Sequence, residues 1–244
     1  MNMNEMMQFI KQIPGKLGSN KYSSVANQKD PQNVAFLRQL QREIKKHDVM
    51  EVPFSKLNLV VFDLETSGFH PYKGDRILSI GAVKVIEGSV LDTERFYSLV
   101  YSEADVSPEI ETLTGITKGD LLSAPPIETV LTDFFRFIKS DPLVAHHANH
   151  ERSFMQHIMW YQLKSRFEHR IIDTSFLTKI AHPKATYVTL DDWCGHYCIE
   201  NEKRHHALYD ALATANLWVK SVSEVQKLGF QHLKDVYTHL ARIQ

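Results

Sequence analysis

The chain has 244 residues, 43% hydrophobic and 23% charged, with a formal net charge of −1. That suits one sizeable domain plus an extension, and it excludes a global basic field that would attract nucleic acid unaided. No run approaches the ~20 apolar residues of a membrane span, residues 1–9 lack the basic start and apolar core of a secretory signal, and two cysteines cannot build a disulfide framework, so a reducing, cytoplasmic setting is expected.

Residues 1–55 read as an N-terminal helical extension with a linker. Pro14-Gly15-Lys16-Leu17-Gly18-Ser19-Asn20 is rich in helix breakers, and 20–30 is polar with little periodicity. Asp30-Pro31 offers an N-cap followed by proline at the first helical position. Val34, Leu37, Leu40 and Ile44 continue at helical spacing, with Arg38, Arg42, Lys45 and Lys46 on a neighbouring, solvated face.

From Lys56 the pattern turns to strands, and 56–244 is expected to form one domain. Segments 57–64, 77–85 and 96–101 are three successive strands with short connections, which suggests an antiparallel meander. A short helix and loop fill 107–117. Ile127, Val130, Leu131, Phe134, Phe135 and Ile138 mark an amphipathic helix. Strands at 143–145 and 171–173 bracket a helix over 151–166, and helices at 190–197, 206–227 and 230–243 complete the chain. The class is α/β with a mixed sheet.

Phe62-Asp63-Leu64-Glu65-Thr66-Ser67-Gly68 closes the first strand. Residues i and i+2 share a strand face, so Asp63 and Glu65 project together. Adjacent carboxylates at the end of a buried strand repel each other. A divalent cation removes that cost and creates a place for phosphate oxygens. Further on, Val144-Ala145-His146-His147-Ala148-Asn149-His150-Glu151 runs from a strand into a helix. Asp173 ends the 171–173 strand and reads as a cap for the helix that follows. His205-His206-Ala207-Leu208-Tyr209-Asp210 opens the long helix, where alanines at 207, 211, 213 and 215 permit close packing on the sheet and bring Asp210 toward Asp63. Singly, Glu151 and Asp210 would equally suit the helix macrodipole. Jointly, the acids collect where α/β sheets bind ligands.

In order and spacing these segments resemble the DnaQ-like exonucleases, members of the DEDD superfamily. Residues 62–68 are similar to the family's first motif, and 107–117 to the substrate-side loop after the third strand. Residues 205–210 are similar to the third motif, with a histidine five residues before the last acid. The second motif, His-Asn-Ala-any-Phe-Asp, departs here to His146-His147-Ala148-Asn149-His150-Glu151, whose acid is one methylene longer. The resemblance covers residues 56–220.

The resemblance implies an RNase H-like fold with a mixed five-stranded sheet flanked by helices. It also implies a 3′–5′ exonuclease releasing nucleoside 5′-monophosphates. Two divalent cations, Mg²⁺ or Mn²⁺, would be held by Asp63, Glu65, Glu151 and Asp210, with His205 as general base and Thr66 and Ile116 on the terminal nucleotide. The expected substrate is nucleic acid with a free, single-stranded 3′ end, DNA before RNA. Helical spacing by itself puts His206 on the face of Asp210, so His205 qualifies only on a loop ahead of the helix. An RNA 3′-end trimming enzyme and a scaffold that lost turnover are the alternatives. Residues 1–55 are expected to dock a replication or repair protein. Cys194 and Cys198 read as two buried helical cysteines rather than zinc ligands. His146, His147 and His150 read as hydrogen-bonding neighbours of Glu151, and Trp160, Tyr161, Trp193 and Trp218 as core or rim.

Overall fold

The structure, a computed structural model, describes residues 31–46 and 48–243; the 14–20 linker and the Asp30 cap lie outside them. Helix α1 (Pro31–Lys46) is followed by β1 (Leu59–Thr66), β2 (Ile77–Ile86) and β3 (Ser89–Leu99), then α2 (Pro108–Thr114), α3 (Lys118–Leu122) and α4 (Ile127–Ile138). Strand β4 (Leu143–Ala145), α5 (Asn149–Leu163) and β5 (Ile171–Asp173) come next, and α6 (Ser175–Ala181), α7 (Leu190–Tyr197), α8 (Ala207–Lys227) and α9 (Leu233–Ile243) end the chain. The sheet order is β3-β2-β1-β4-β5, with β1, β2 and β3 antiparallel and β4 and β5 parallel to β1. This is the mixed five-stranded sheet the sequence implied.

Several boundaries differ from the spacing. A short 3₁₀ turn at Phe54–Lys56 delays β1 by two residues, so Glu65 and Thr66 still belong to the strand. Strand β3 begins at Ser89 rather than near 96. Its exposed first half carries Asp92, Thr93 and Glu94, and an edge strand facing water need not show an apolar period. Helix α3 was not anticipated; its start is fixed by a capping box in which Thr117 and Asp120 satisfy each other's backbone N–H groups. Helix α9 starts at Leu233 because the Asp235 carboxylate accepts from the Gln231 and His232 N–H groups ahead of it. Cys198 caps α7 in the left-handed conformation and is exposed, so the expectation of two buried cysteines holds for Cys194 alone.

Two apolar layers sandwich the sheet. Val60, Phe62 and Leu64 of β1, with Ile80 and Ala82 of β2, pack against α4 and α5 through Phe134, Ile138, Phe154 and Met155. Leu40 of α1 is buried in this same layer, with Phe36, Leu37 and Ile44 against it, while Arg38, Arg42, Lys45 and Lys46 face solvent. Leu59 and Val61 of β1, with Val83 and Val85, face α8 and α9 on the other side, meeting Ala215, Trp218 and Leu233. The two-residue period therefore carries Asp63 and Glu65 onto the α8 side.

The approach of α8 is close. Gly81 pairs with Asp63 across the sheet, and a Cβ on Gly81 would stand 2.2 Å from the Ala207 carbonyl carbon. Only a bare backbone admits the first turn of α8 at that height, and Ala207, Ala211, Ala213 and Ala215 are buried as their spacing suggested. Among the described residues no helix is long and apolar enough to cross a membrane.

Candidate active site

The acids of β1 and α8 meet at the C-terminal end of β1. One carboxylate oxygen each from Asp63, Glu65 and Asp210 lie within 4.8 Å of one another. Glu65 and Asp210 are buried and Asp63 is half-buried. Glu151 sits in the first turn of α5, outside that triangle but within electrostatic reach of it. It is 4% exposed, and its Oε2 has no hydrogen-bond partner.

Crowding and burial make Asp63, Glu65 and Glu151 reluctant to ionise. Burial first, then the charges of Glu151, Glu65 and Asp210, raise Asp63 well above the ordinary carboxylate range. Burial and Asp210 push Glu65 up to about 7. Burial, with Asp173 and Glu65 adding to it, pushes Glu151 up to about 8. A hard divalent cation takes such oxygen donors and offsets their repulsion, and an orphaned buried carboxylate oxygen is the kind of group it satisfies. The donor set fits.

Two residues beside Asp210 were missed by sequence reasoning. Arg204 Nη1 donates to Asp210 Oδ2 at 2.5 Å while its Nε donates to Asp191 Oδ1 at 2.6 Å. Asn201 Nδ2 donates to Asp210 Oδ1 at 2.6 Å. Both lie in the loop before α8, where no periodicity marks a polar residue as inward-facing. Arg204 is the cationic counterweight of the site, lowering Asp63 and Glu65 against their other neighbours.

The two histidines separate cleanly. His205 lies ahead of the helix at φ 59°, in the left-handed region, and its N–H donates to Asp210 Oδ2 at 3.1 Å. This is the loop position its proposed role requires. His206 is the N-cap residue, stacked on Tyr97 with ring centres 4.4 Å apart. Burial, and then Arg204, hold His205 below the ordinary histidine value.

The second motif is braced by its neighbours. Asp173 accepts from the N–H groups of His147 (3.2 Å), Ala148 (3.0 Å) and Ser175 (2.9 Å), so it ties the β4–α5 turn to β5 as well as serving the following helix. His147 Nε2 donates to the Val188 carbonyl at 2.6 Å. His146 is held at about 4, chiefly by burial, and lies 2.7 Å from Thr174 Oγ1 through Nδ1. His150 Nε2 donates to Thr66 Oγ1 at 3.2 Å, and that hydroxyl donates on to the Gly68 carbonyl. The histidine that replaces phenylalanine thus joins the end of β1 to α5. Ile116 is buried with Leu78, Val106 and Leu121, and no described contact joins it to the carboxylates.

A mixed sheet in this strand order, with buried acids converging at the end of its central strand, defines an RNase H-like α/β domain with a metal-type carboxylate centre. The family model described as Exonuclease matches residues 60–218, and the chain belongs to that family. It is 33% identical over 177 residues to DNA polymerase III PolC-type of Caldanaerobacter subterraneus subsp. tengcongensis, covering 72% of this chain and 12% of that protein. It is 30% identical over 194 residues to a DNA polymerase III subunit epsilon-like protein of Rhodobacter capsulatus, covering 79% of this chain and 27% of that one. The chain therefore spans only a small part of the curated relatives it matches. Exonuclease X in complex with 5′ overhanging duplex DNA shares the fold at a TM-score of 0.58 and 22% identity, over 73% of this chain and 98% of that one. E. coli Exonuclease I with a dT13 oligonucleotide gives 0.59 at 15% identity, over 71% and 42%.

Proposed function

We propose that the protein is a 3′–5′ exonuclease that removes nucleoside 5′-monophosphates from the free 3′ end of a single DNA strand, using two divalent cations, Mg²⁺ or Mn²⁺. The observation that carries this reading is the close triangle of Asp63, Glu65 and Asp210. Those three acids and Glu151 are the residues that would hold the cations. Bound there, divalent cations supply positive charge that eases deprotonation of a water and offsets charge building on the phosphodiester oxygens. His205 takes the proton from the attacking water. Its lowered affinity for protons keeps the imidazole neutral and able to accept one at neutral pH. Thr66 and Ile116 flank the terminal nucleotide, Thr66 from a hydroxyl already fixed by His150 and Gly68.

DNA is preferred to RNA because the curated relatives are polymerase III chains. The same kinship favours a replication or repair protein as partner, with residues 1–55 as its docking segment, and the cytoplasm as the location. The test uses 3′-labelled single strands of DNA and of RNA with Mg²⁺ or Mn²⁺. Labelled mononucleotide should leave the DNA first, Asp63→Ala/Asp210→Ala should release none, and His205→Ala should lose far more rate than His206→Ala. Equal release by wild type and the double acid variant would overturn the reading.

A further inference from the structure

The most exposed large apolar side chains of the described residues are Phe69 and Tyr72, at 79% and 72%. Both lie on the loop that leaves β1 directly after Thr66. That loop is braced: Pro71 is buried, and Asp75 accepts from the His70 N–H at 2.8 Å. Arg76 donates to the Ala104 and Asp105 carbonyls. The rings are therefore held out into solvent by a fixed backbone. Opposite them, His150, Phe154, His157 and Tyr161 follow at spacings of four, three and four, which is one face of α5.

The rings touch in two groups, one around His150 and one around His157. Phe69 meets His150 edge-on at 5.7 Å, and Tyr72 meets His157 edge-on at 5.0 Å. His157 then lies nearly parallel to Tyr161, 17° apart with centres at 6.0 Å, and Tyr161 is 64% exposed. Single exposed aromatics are ordinary, but a contiguous row is not. The row of Tyr72, His157 and Tyr161 leads away from the candidate site along α5, since His150, two turns before His157, is hydrogen-bonded to Thr66 and precedes Glu151. Tyr161 lies eleven residues beyond His150 on α5, about 16 Å at 1.5 Å each, enough for a few nucleotides of an extended strand.

The charges around the row suit a polyanion. Lys164 Nζ stands 5.5 Å from the Tyr161 ring centre, and the exposed Lys73 follows Tyr72. Glu151, turned into the site, is the only acid in the sequence of α5. Exposed rings interleaved with cations are the pattern by which single strands are held without regard to sequence, the bases stacking and the cations meeting phosphates.

We propose that Tyr72, His157 and Tyr161 form a stacking track for the unpaired bases upstream of the 3′ terminal nucleotide. It rests on the exonuclease reading and adds a second binding region to it. The test measures anisotropy of 5′-fluorescein-labelled dT3 and dT12 with the full chain, Ca²⁺ replacing Mg²⁺ to leave the strands uncut. Wild type should bind dT12 much more tightly than dT3. Tyr72→Ala/Tyr161→Ala should erase about tenfold per ring removed of that length gain, and Tyr72→Phe/Tyr161→Phe should keep it. The alanine variant should melt with wild type, which separates a lost surface from a damaged fold. A length gain that survives the alanine pair overturns the track and leaves the exonuclease reading standing. A wild type that binds neither strand overturns the exonuclease reading itself.

Discussion

Glu151→Gln tests whether the buried charge of the second motif is the stress point of the site. Glu151 is displaced from 4.5 to about 8, so the folded protein keeps that proton to higher pH than the unfolded chain does. Stability is consequently lost as pH climbs from 4.5 through about 8. Integrating the difference in bound protons gives a cost on the order of 2 kcal/mol at pH 6 and on the order of 4 kcal/mol at pH 8. Glutamine keeps the shape and does not ionise. In a chelator it should therefore raise the melting temperature by roughly 10 °C at pH 8, about half that at pH 6, and little at pH 5. Thermal unfolding followed by circular dichroism from pH 5 to 8.5 reads the effect directly. Added Mn²⁺ should stabilise wild type at pH 8 and the variant much less, because a neutral amide is the poorer ligand. Parallel pH profiles for the two proteins in chelator would refute the assignment of Glu151 as a buried, strained acid.

Gly81→Ala should be disproportionately damaging. The added methyl meets backbone atoms of Ala207 and Leu208 rather than a side chain that can turn away. The first turn of α8 must lift, taking Asp210 from Asp63, and a displacement of that order costs about 10²-fold in rate along with one to three or so kcal/mol of packing, by rough estimate. Mononucleotide release and melting together check this, and a stable, fully active variant would refute it. Arg204→Ala removes the guanidinium that competes with a cation for Asp210. Mn²⁺ affinity, measured by electron spin resonance of the free ion, should rise roughly tenfold, the equivalent of one charge-assisted hydrogen bond; weaker binding would refute the competition.

Much of this architecture is legible in the residues because local and long-range signals agree. Leu59, Val60 and Val61 are buried on both faces of a central strand, so an unbroken apolar run gives β1 away, and Asp63 and Glu65 stand out against it. Four alanines in α8 announce a close helix–sheet contact. Strand β3 hides because its first half answers to water rather than to the core. Arg204 and Asn201 hide for another reason: a loop residue acquires an inward role only from where the chain turns, and one residue of that turn, His205, sits in the left-handed region. Spacing on a straight helix selects His206, whereas the actual turn diverts that ring onto Tyr97. The use of Asp173 as a clamp on the β4–α5 turn was equally invisible, since it depends on β4 and β5 lying side by side.

The alternation of β1 has a consequence for how the chain can fail. Even-numbered residues 60, 62 and 64 enter the layer beneath α4 and α5, while 59 and 61 enter the other and are continued by the two acids. Slipping the strand by one position would drive Asp63 and Glu65 in among Phe134 and Ile138, and would hand Phe62 and Leu64 to the carboxylate cleft. Such a misassembled molecule would pay for two buried charges at once and could not persist. The clustered acids therefore police the pairing of the strand that carries them, and correct pairing and the gathering of the carboxylates become a single event for this domain.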